Sequence, residues 1–520
     1  MMRLKTYIIK KYCEIVLRYL IIILISIYFL SYFLRENLLE SFARIGNLFY
    51  RMYPLDISIL PQVLQSLIET ISIAFFSSIF ALVTSLVILP FTNNFIFNIS
   101  TFPKVVNILL SVFRTLPSLI IASILVALFG VGKFSGFLAL YFISTLMATK
   151  ILKEYSEEVA QRHLDSAKCL GLTTFNLYYL AIVRNIKDKI FSVFFLTLES
   201  NIRGASILGL VGAGGIGQLL WKELNHLRYD RVALIILLLV VTIGIIDLSS
   251  YYFRHKKDRI VTTFKIYRRN TSLKKMFYII LLLGSLLYVI DTLNLSEERL
   301  NKGLLNIKIM FKSMLIPDFT YFNKAILALG DSILVAIAAS LFASLTTIII
   351  AYFSVSKISN INFSILSKLL VNIFRTVPPV IVAIIFFRGF GPGFIASFFA
   401  LYFYTLGVTN KMFMEILEAM EENLLFSVKS MGISSFIAYI KIIFTAYIPE
   451  FVSIVLFRFE MNIKNSAILG MVGVGGIGQL IVNNIEFRNW SRISLLLLIL
   501  TLSIVIIERI SYYIRMKIKE

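Results

Sequence analysis

Cysteine occurs twice in these 520 residues, tryptophan twice and histidine three times. Cys13 and Cys169 lie far apart, form no metal pattern and cannot build a disulfide framework. His163, His226 and His255 fit no ligand spacing. No nucleophile–base or metal constellation emerges, so an enzyme has little to be built from. Acidic residues are also scarce, 29 against 51 Lys and Arg, for a net charge of +22. A Walker A motif is missing as well. The nearest stretch, "GVGKFSG" from Gly130, has Phe134 where Ser or Thr must hold magnesium.

What the chain has is apolar surface. It is 58% hydrophobic, with a mean hydropathy of +0.86. Membrane-length apolar stretches lie around Leu20–Leu34, Val232–Phe253 and Ile493–Ile514. This composition predicts an all-α polytopic membrane protein. The positive charge then reads as a topology signal rather than a nucleic-acid footprint. It gathers at Arg3, Lys5, Lys10, Lys11 and Arg18, in the stretch Arg254–Lys275, and at Arg515, Lys517 and Lys519. All three clusters are expected on the cytoplasmic side. The basic, apolar N-terminus carries no small-residue cleavage site and is expected to be a retained first helix.

The chain is written twice. "FRTLPSLI" from Phe113 returns as "FRTVPPVI" from Phe374, and "LGLVGAGGIGQL" from Leu208 returns as "LGMVGVGGIGQL" from Leu469, both 261 residues on. From Glu199 to Leu219, 14 of 21 positions are identical in the second copy. Upstream the spacing is 262, with "ETISIAFFSSIFALVT" from Glu69 matching "DSILVAIAASLFASLT" from Asp331. The expected domains are residues 1–264 (core 63–255) and 265–520 (core 325–515). Membrane helices are expected near 15–34, 65–90, 105–129, 134–150, 188–207 and 232–253, then near 276–293, 327–353, 366–387, 393–410, 449–468 and 493–514. Six per half is an even number. Both halves then enter and leave on one face, as parallel repeats. The outer loop Asn294–Lys324 strains the charge rule with five basic residues.

Gly212, Gly214 and Gly217 spell G-x-G-x-x-G, a dinucleotide fingerprint, with Asp230 near the acidic position. That motif needs a strand before it in a soluble βαβ unit. Here an apolar membrane segment precedes it, and the second copy, Gly473, Gly475 and Gly478, lacks the acidic residue. Nucleotide binding is not expected there.

The glycine run itself, with Gly215 and Gly476 included, destabilises a helix by about 1 kcal/mol per glycine. Irregular backbone at membrane depth survives only inside protein or beside a water-filled cavity. It reads either as a gate near a pore axis, with N–H groups that meet an anion, or as a tight packing turn. A second repeated feature is "ESNIR", Glu199, Asn201 and Arg203, with its copy "EMNIK", Glu460, Asn462 and Lys464. These charges either line a solute path or form i, i+4 pairs at a helix end. Arg114 with Pro117 and Arg375 with Pro378 open a third motif. Each arginine either snorkels to the interface or stands near the path, and each proline starts or kinks a helix. Between the fourth and fifth helices, 150–187 and 411–441, a charged helical loop is interrupted by Gly171 and Gly432. It packs on its own bundle or on a cytoplasmic partner.

These motifs together resemble the permease subunits of phosphonate-type ABC importers, which share the type I importer membrane fold. "FRTLP", "ESNIRGASILGLVGAGGIGQLL" and the loop "SAKCLGLTTF" carry the likeness, and the whole chain looks like two such permeases fused. The resemblance implies a bacterial plasma (inner) membrane protein, multi-pass, with both termini cytoplasmic. It implies an ABC ATPase dimer as cytoplasmic partner, a solute-binding protein outside, lipids around it, and no cofactor of its own. ATP and Mg would sit on the ATPase. The family's coupling motif, roughly E-A-A-x-x-x-G, falls on Asp165, Ser166, Ala167 and Gly171, and on Phe426, Ser427, Val428 and Gly432. The glycines stay; the other positions have drifted. The expected function is an ATP-driven importer subunit for phosphonate or a related phosphorus anion. The alternatives are another phosphorylated solute such as thiamine diphosphate, or an autonomous secondary transporter or channel.

Overall fold

The computed structural model describes residues 38–93, 101–168, 176, 178–212, 214–258, 293, 296–420 and 432–519. Within the first repeat the helices are α1 (Leu38–Arg51), α2 (Leu60–Thr92), α3 (Thr101–Thr115), α4 (Ser118–Phe129), α5 (Lys133–Lys168), α6 (Lys187–Leu208), α7 (Gly215–Asn225) and α8 (Tyr229–Asp258). The second repeat gives α9 (Glu297–Met314), α10 (Phe322–Ser354), α11 (Ile361–Thr376), α12 (Pro379–Phe390), α13 (Phe394–Glu418), α14 (Ile448–Leu469), α15 (Gly476–Glu486) and α16 (Trp490–Lys519). The two series match helix for helix. The expected helices near 15–34 and 276–293 lie outside the described residues, as do Cys13 and Cys169.

Among the described residues, five helices are each long and apolar enough to cross a membrane, and up to eight spans result if each sharply bent pair counts as one. The bent pairs correct the expectation of single helices at 105–129 and 366–387. α3 and α4 meet at 89°, α11 and α12 at 83°. Pro117 and Pro378 are the cause. Each lacks an N–H, forces the residue before it out of helical conformation, and stands extended as the residue that opens the next helix, with ψ 139° and 137°.

By contacts the chain forms two compact units that are not the two repeats. One comprises Arg51–Ala325 with Leu480–Ile506. The other joins the described residues up to Tyr50 with Ile326–Gln479 and Ile507 onward.

In the first unit α2 packs along α5. Leu89, Ala148, Leu152, Ile182, Ile186 and Val193 fill the core there. Serines and threonines along α2 return their hydroxyls to the preceding turn, as Ser77 does to the Ile73 carbonyl at 2.7 Å. α9 lies against α4, where Gly303 meets the Phe129 ring. Arg299 donates to the carbonyls of Phe129 (2.6 Å), Gly130 (3.0 Å) and Val131 (3.0 Å), and Asn306 to that of Leu128 (3.0 Å). A helix C-terminus presents such unpaired carbonyls, and a cation suits them. Lys302 pairs with Glu298 at 2.5 Å. Two basic residues of the loop that strained the charge rule are thereby engaged.

In the second unit α1 lies against α12. Gly389 leaves room for Ile45, and the Phe42 ring meets Phe390 edge-on at 5.2 Å. Further in, Phe386, Phe399 and Phe403 stack at 4.9–6.3 Å. Val355, Phe413, Leu417, Tyr439 and Phe451 form the core at the other end.

One ion pair recurs just ahead of each of the two 33-residue long helices, α2 and α10. Asp56 accepts from Ser58 N–H at 2.9 Å and from Arg231 Nε at 2.8 Å. Asp318 accepts from the Thr320 hydroxyl at 2.5 Å and from Arg492 Nε at 3.0 Å. The hydrogen bonds from Ser58 and Thr320, with the two guanidiniums, hold both carboxyls below the ordinary carboxylate range. A depressed folded-state pKa contributes stability that is present above the unfolded value, near 4, and lost as pH falls through the folded value. The thermal midpoint of the purified chain is therefore expected to drop below about pH 4. A double variant, Asp56→Asn with Asp318→Asn, should lose part of that dependence in a melting series from acidic to neutral pH.

Candidate functional site

The glycine run is a backbone turn built the same way in both repeats. α6 ends at Leu208, and the chain passes Gly212 at φ +84° and turns into α7. α14 ends at Leu469, and Gly473 stands at φ +91° before α15. A side chain resists that left-handed conformation, which glycine adopts freely. The next glycines, 214 with 215 and 475 with 476, also have positive φ.

The turn brings α7 back against α6 so tightly that a Cβ on Gly217 would overlap the Ser206 carbonyl. Gly478 is packed likewise on the Ala467 carbonyl. Both turns are pinned from outside. Thr70 Oγ1 accepts the Ile216 N–H at 2.9 Å, and Ser332 Oγ accepts the Ile477 N–H at 3.1 Å. One of the N–H groups expected to be open to an anion is thus taken in each copy. In the first unit Gly132 N–H also donates to the Gly212 carbonyl at 2.8 Å.

Below the turn, Asn201 and Asn462 are hubs between helices. Asn201 Nδ2 donates to Ser78 at 2.8 Å, and its Oδ1 accepts from Ser144 at 2.5 Å. Asn462 Nδ2 donates to Ser340 and its Oδ1 accepts from Thr405, both at 2.9 Å. Both asparagines are buried. Their amides join three helices in each repeat. Burial of an amide is tolerated only with such partners.

The charged residues differ between the copies. Glu199 and Arg203 pair with each other along α6. Glu460 instead pairs with Arg515, and Lys464 with Glu508, both at 3.0 Å and both across to α16. Glu508 and Arg515 carry no local signal of this role, because their partners lie some fifty residues away in sequence. The repeat does point to them, since Asp247 is the counterpart of Glu508 at the 261-residue spacing.

At the third motif, Arg114 ends α3 and Arg375 ends α11. Arg114 lines a cavity of about 330 Å³ with Asn107, Lys150, Lys153 and Glu154. Gly407 lets α13 approach the backbone of Phe374 and Arg375. The coupling positions are only partly within the described residues. Asp165, Ser166 and Ala167 lie on the last turn of α5, and Gly432 has φ +63°. Gly171, Phe426, Ser427 and Val428 lie outside them. Beyond each loop a tyrosine ties the chain back to the long helix. Tyr178 donates to the Leu86 carbonyl at 2.8 Å, Tyr439 to that of Ile348 at 2.9 Å. Among the described residues, no cluster of His, Cys, Asp and Glu could hold a metal ion.

The model of the binding-protein-dependent transport system inner membrane component matches residues 97–259 and again residues 348–519. The chain belongs to that family. It is a permease of the ABC importer type, present as a tandem repeat, and such subunits are not themselves catalytic. The family works in general with an ATPase and a substrate-binding protein. Relatives of the permease include the phosphate-import permease protein PhnE of Mycolicibacterium smegmatis, 25% identical over 410 residues, covering 78% of this chain and 76% of that one. The phosphite transport system permease protein PtxC of Stutzerimonas stutzeri is 28% identical over 238 residues, 45% of this chain and 85% of its own. The ABC transport system permease protein p69 of Mycoplasma genitalium is 22% identical over 423 residues, 77% and 76%. No solved structure matches the permease.

Proposed function

We propose that this permease carries a phosphorus oxyanion, phosphonate, phosphite or phosphate, inward across a bacterial plasma membrane, with both termini on the cytoplasmic face. The observation that carries the reading is the pinned glycine turn, present once in each repeat on equivalent helices and held by equivalent partners. Relatives named for phosphate and phosphite import support the choice of solute.

The mechanism follows from rigid parts. Each turn is tied to its long helix by Thr70 or Ser332 and to its neighbours through Asn201 or Asn462. Each loop that would meet an ATPase is tied to the same long helix by Tyr178 or Tyr439. Closure of an ATPase dimer on the loops, around Asp165–Gly171 and Ser427–Gly432, would move the long helices. The glycine turns would move with them. ATP and Mg belong to the ATPase in this scheme, and this chain binds no cofactor. A binding protein outside would deliver the solute.

The test is reconstitution with the neighbouring ATPase and binding protein. ATP hydrolysis is expected to rise at least several-fold with one of phosphate, phosphite or a phosphonate. Substitution of Gly432 by a bulky β-branched residue should remove that rise, because its φ of +63° disfavours a side chain. Uptake that follows an ion gradient without any ATPase would overturn the reading.

A further inference from the structure

The two repeats differ at one place beside the glycine turn. In the first, Lys133 Nζ lies 2.9 Å from Glu69 Oε1, and the lysine stem packs on Gly214. At the repeat spacings, Asp331 stands for Glu69 and Phe394 for Lys133. The carboxylate is kept and its cation is gone. Among the described residues Asp331 has neither a hydrogen bond nor an ion pair. A cavity of about 210 Å³ opens there, lined by Asp331, Phe394, Ser397, Ser466 and Gly475. Gly475 faces open space, where its counterpart Gly214 is covered by Lys133.

We infer that this cavity is a site for a small organic cation, an alkylammonium group. The lining supplies what such a group needs. One carboxylate matches one positive charge, and an aromatic ring beside it adds cation–π attraction. Serine hydroxyls accept N–H donors. The opposite sign is disfavoured, since an anion would meet Asp331. A divalent metal would need more oxygen ligands than one carboxylate and a few hydroxyls. The first repeat shows the same chemistry met internally: its own lysine ammonium occupies that place. The ligand of the second repeat does from outside what Lys133 does from within.

The experiment needs neither ATPase nor transported solute, so its failure leaves the transport reading untouched. The purified full-length chain is melted in ethylammonium chloride and, separately, in sodium chloride at equal ionic strength. Ethylammonium is expected to raise the midpoint saturably beyond the sodium control, as a ligand of the folded state does. Asp331→Asn should remove the difference. Phe394→Lys writes in the first repeat's ion pair. It should keep the fold and no longer respond to ethylammonium. Equal shifts from both salts in the unaltered chain would overturn the inference, and so would a response that survives in Asp331→Asn.

Discussion

Gly478→Ala is expected to abolish transport and to lower the thermal midpoint, while Gly244→Ala leaves both unchanged. The two substitutions add the same methyl group. At Gly244 nothing lies within 4 Å of it. At Gly478 it falls on the Ala467 carbonyl, with the Ala467 Cα at 3.2 Å. Those atoms are backbone on a neighbouring helix, so no rotamer change makes room. α15 must move off α14. Overpacking of this kind costs about 1–3 kcal/mol, and with no flexible atom to yield the upper figure applies. That is roughly a hundredfold in the population of the correct turn, at 1.4 kcal/mol per tenfold. The equivalent change, Gly217→Ala, should behave alike, since its methyl meets the Ser206 carbonyl. Uptake by the reconstituted importer and a melting curve check both. Normal uptake by Gly478→Ala would show that the close approach is not needed.

Arg515→Met should destabilise the chain by about 3 kcal/mol, because breaking a buried ion pair strands the remaining charge. Here the group left behind is Glu460, whose side chain is 9% exposed and which keeps only the Ser511 hydrogen bond and the field of Lys464. Lys464→Met is expected to cost less, since its partner Glu508 is 33% exposed and regains water. Lys302→Met should cost nearly nothing, its pair with Glu298 being 71% and 76% exposed. Exchanging the charges, Glu460→Arg with Arg515→Glu, should recover part of the loss. Denaturant titration of the four variants ranks them. An Arg515→Met effect as small as that of Lys302→Met would mean that Glu460 is not stabilised by this pair.

Much of this was readable from residue order alone. The repeat, the membrane character and the glycine run all leave local marks: periodic identities, apolar length and an unusual density of one residue type. The bend at Pro117 was half readable. Proline announces a break, but not whether the helix kinks or turns through 89°. The partners of the turn were not readable. Thr70 lies 146 residues before Ile216, and a lone threonine in an apolar helix carries no sign of what it will accept. The same holds for Arg515, whose role exists only once α14 and α16 are side by side. α1 has only 14 residues, shorter than a membrane span, and α9 carries six charges in its 18, so neither stands out as a span; their apolar faces come into view only against α12 and α4.

The placement of α1 sets an order of events during synthesis. Ile45 is made early, yet the Gly389 surface it covers is made more than three hundred residues later. Until the intervening chain is made, the contacts of Phe42 and Ile45 with α12 cannot form. α9 faces no such wait, because Phe129 and Gly303 are made in the reverse order. A gene cut at the repeat boundary would therefore give an N-terminal product whose α1, and a C-terminal product whose α9, find their packing surfaces only on the other polypeptide. Fusion of the two halves keeps each leading helix on the same polypeptide as the surface it completes.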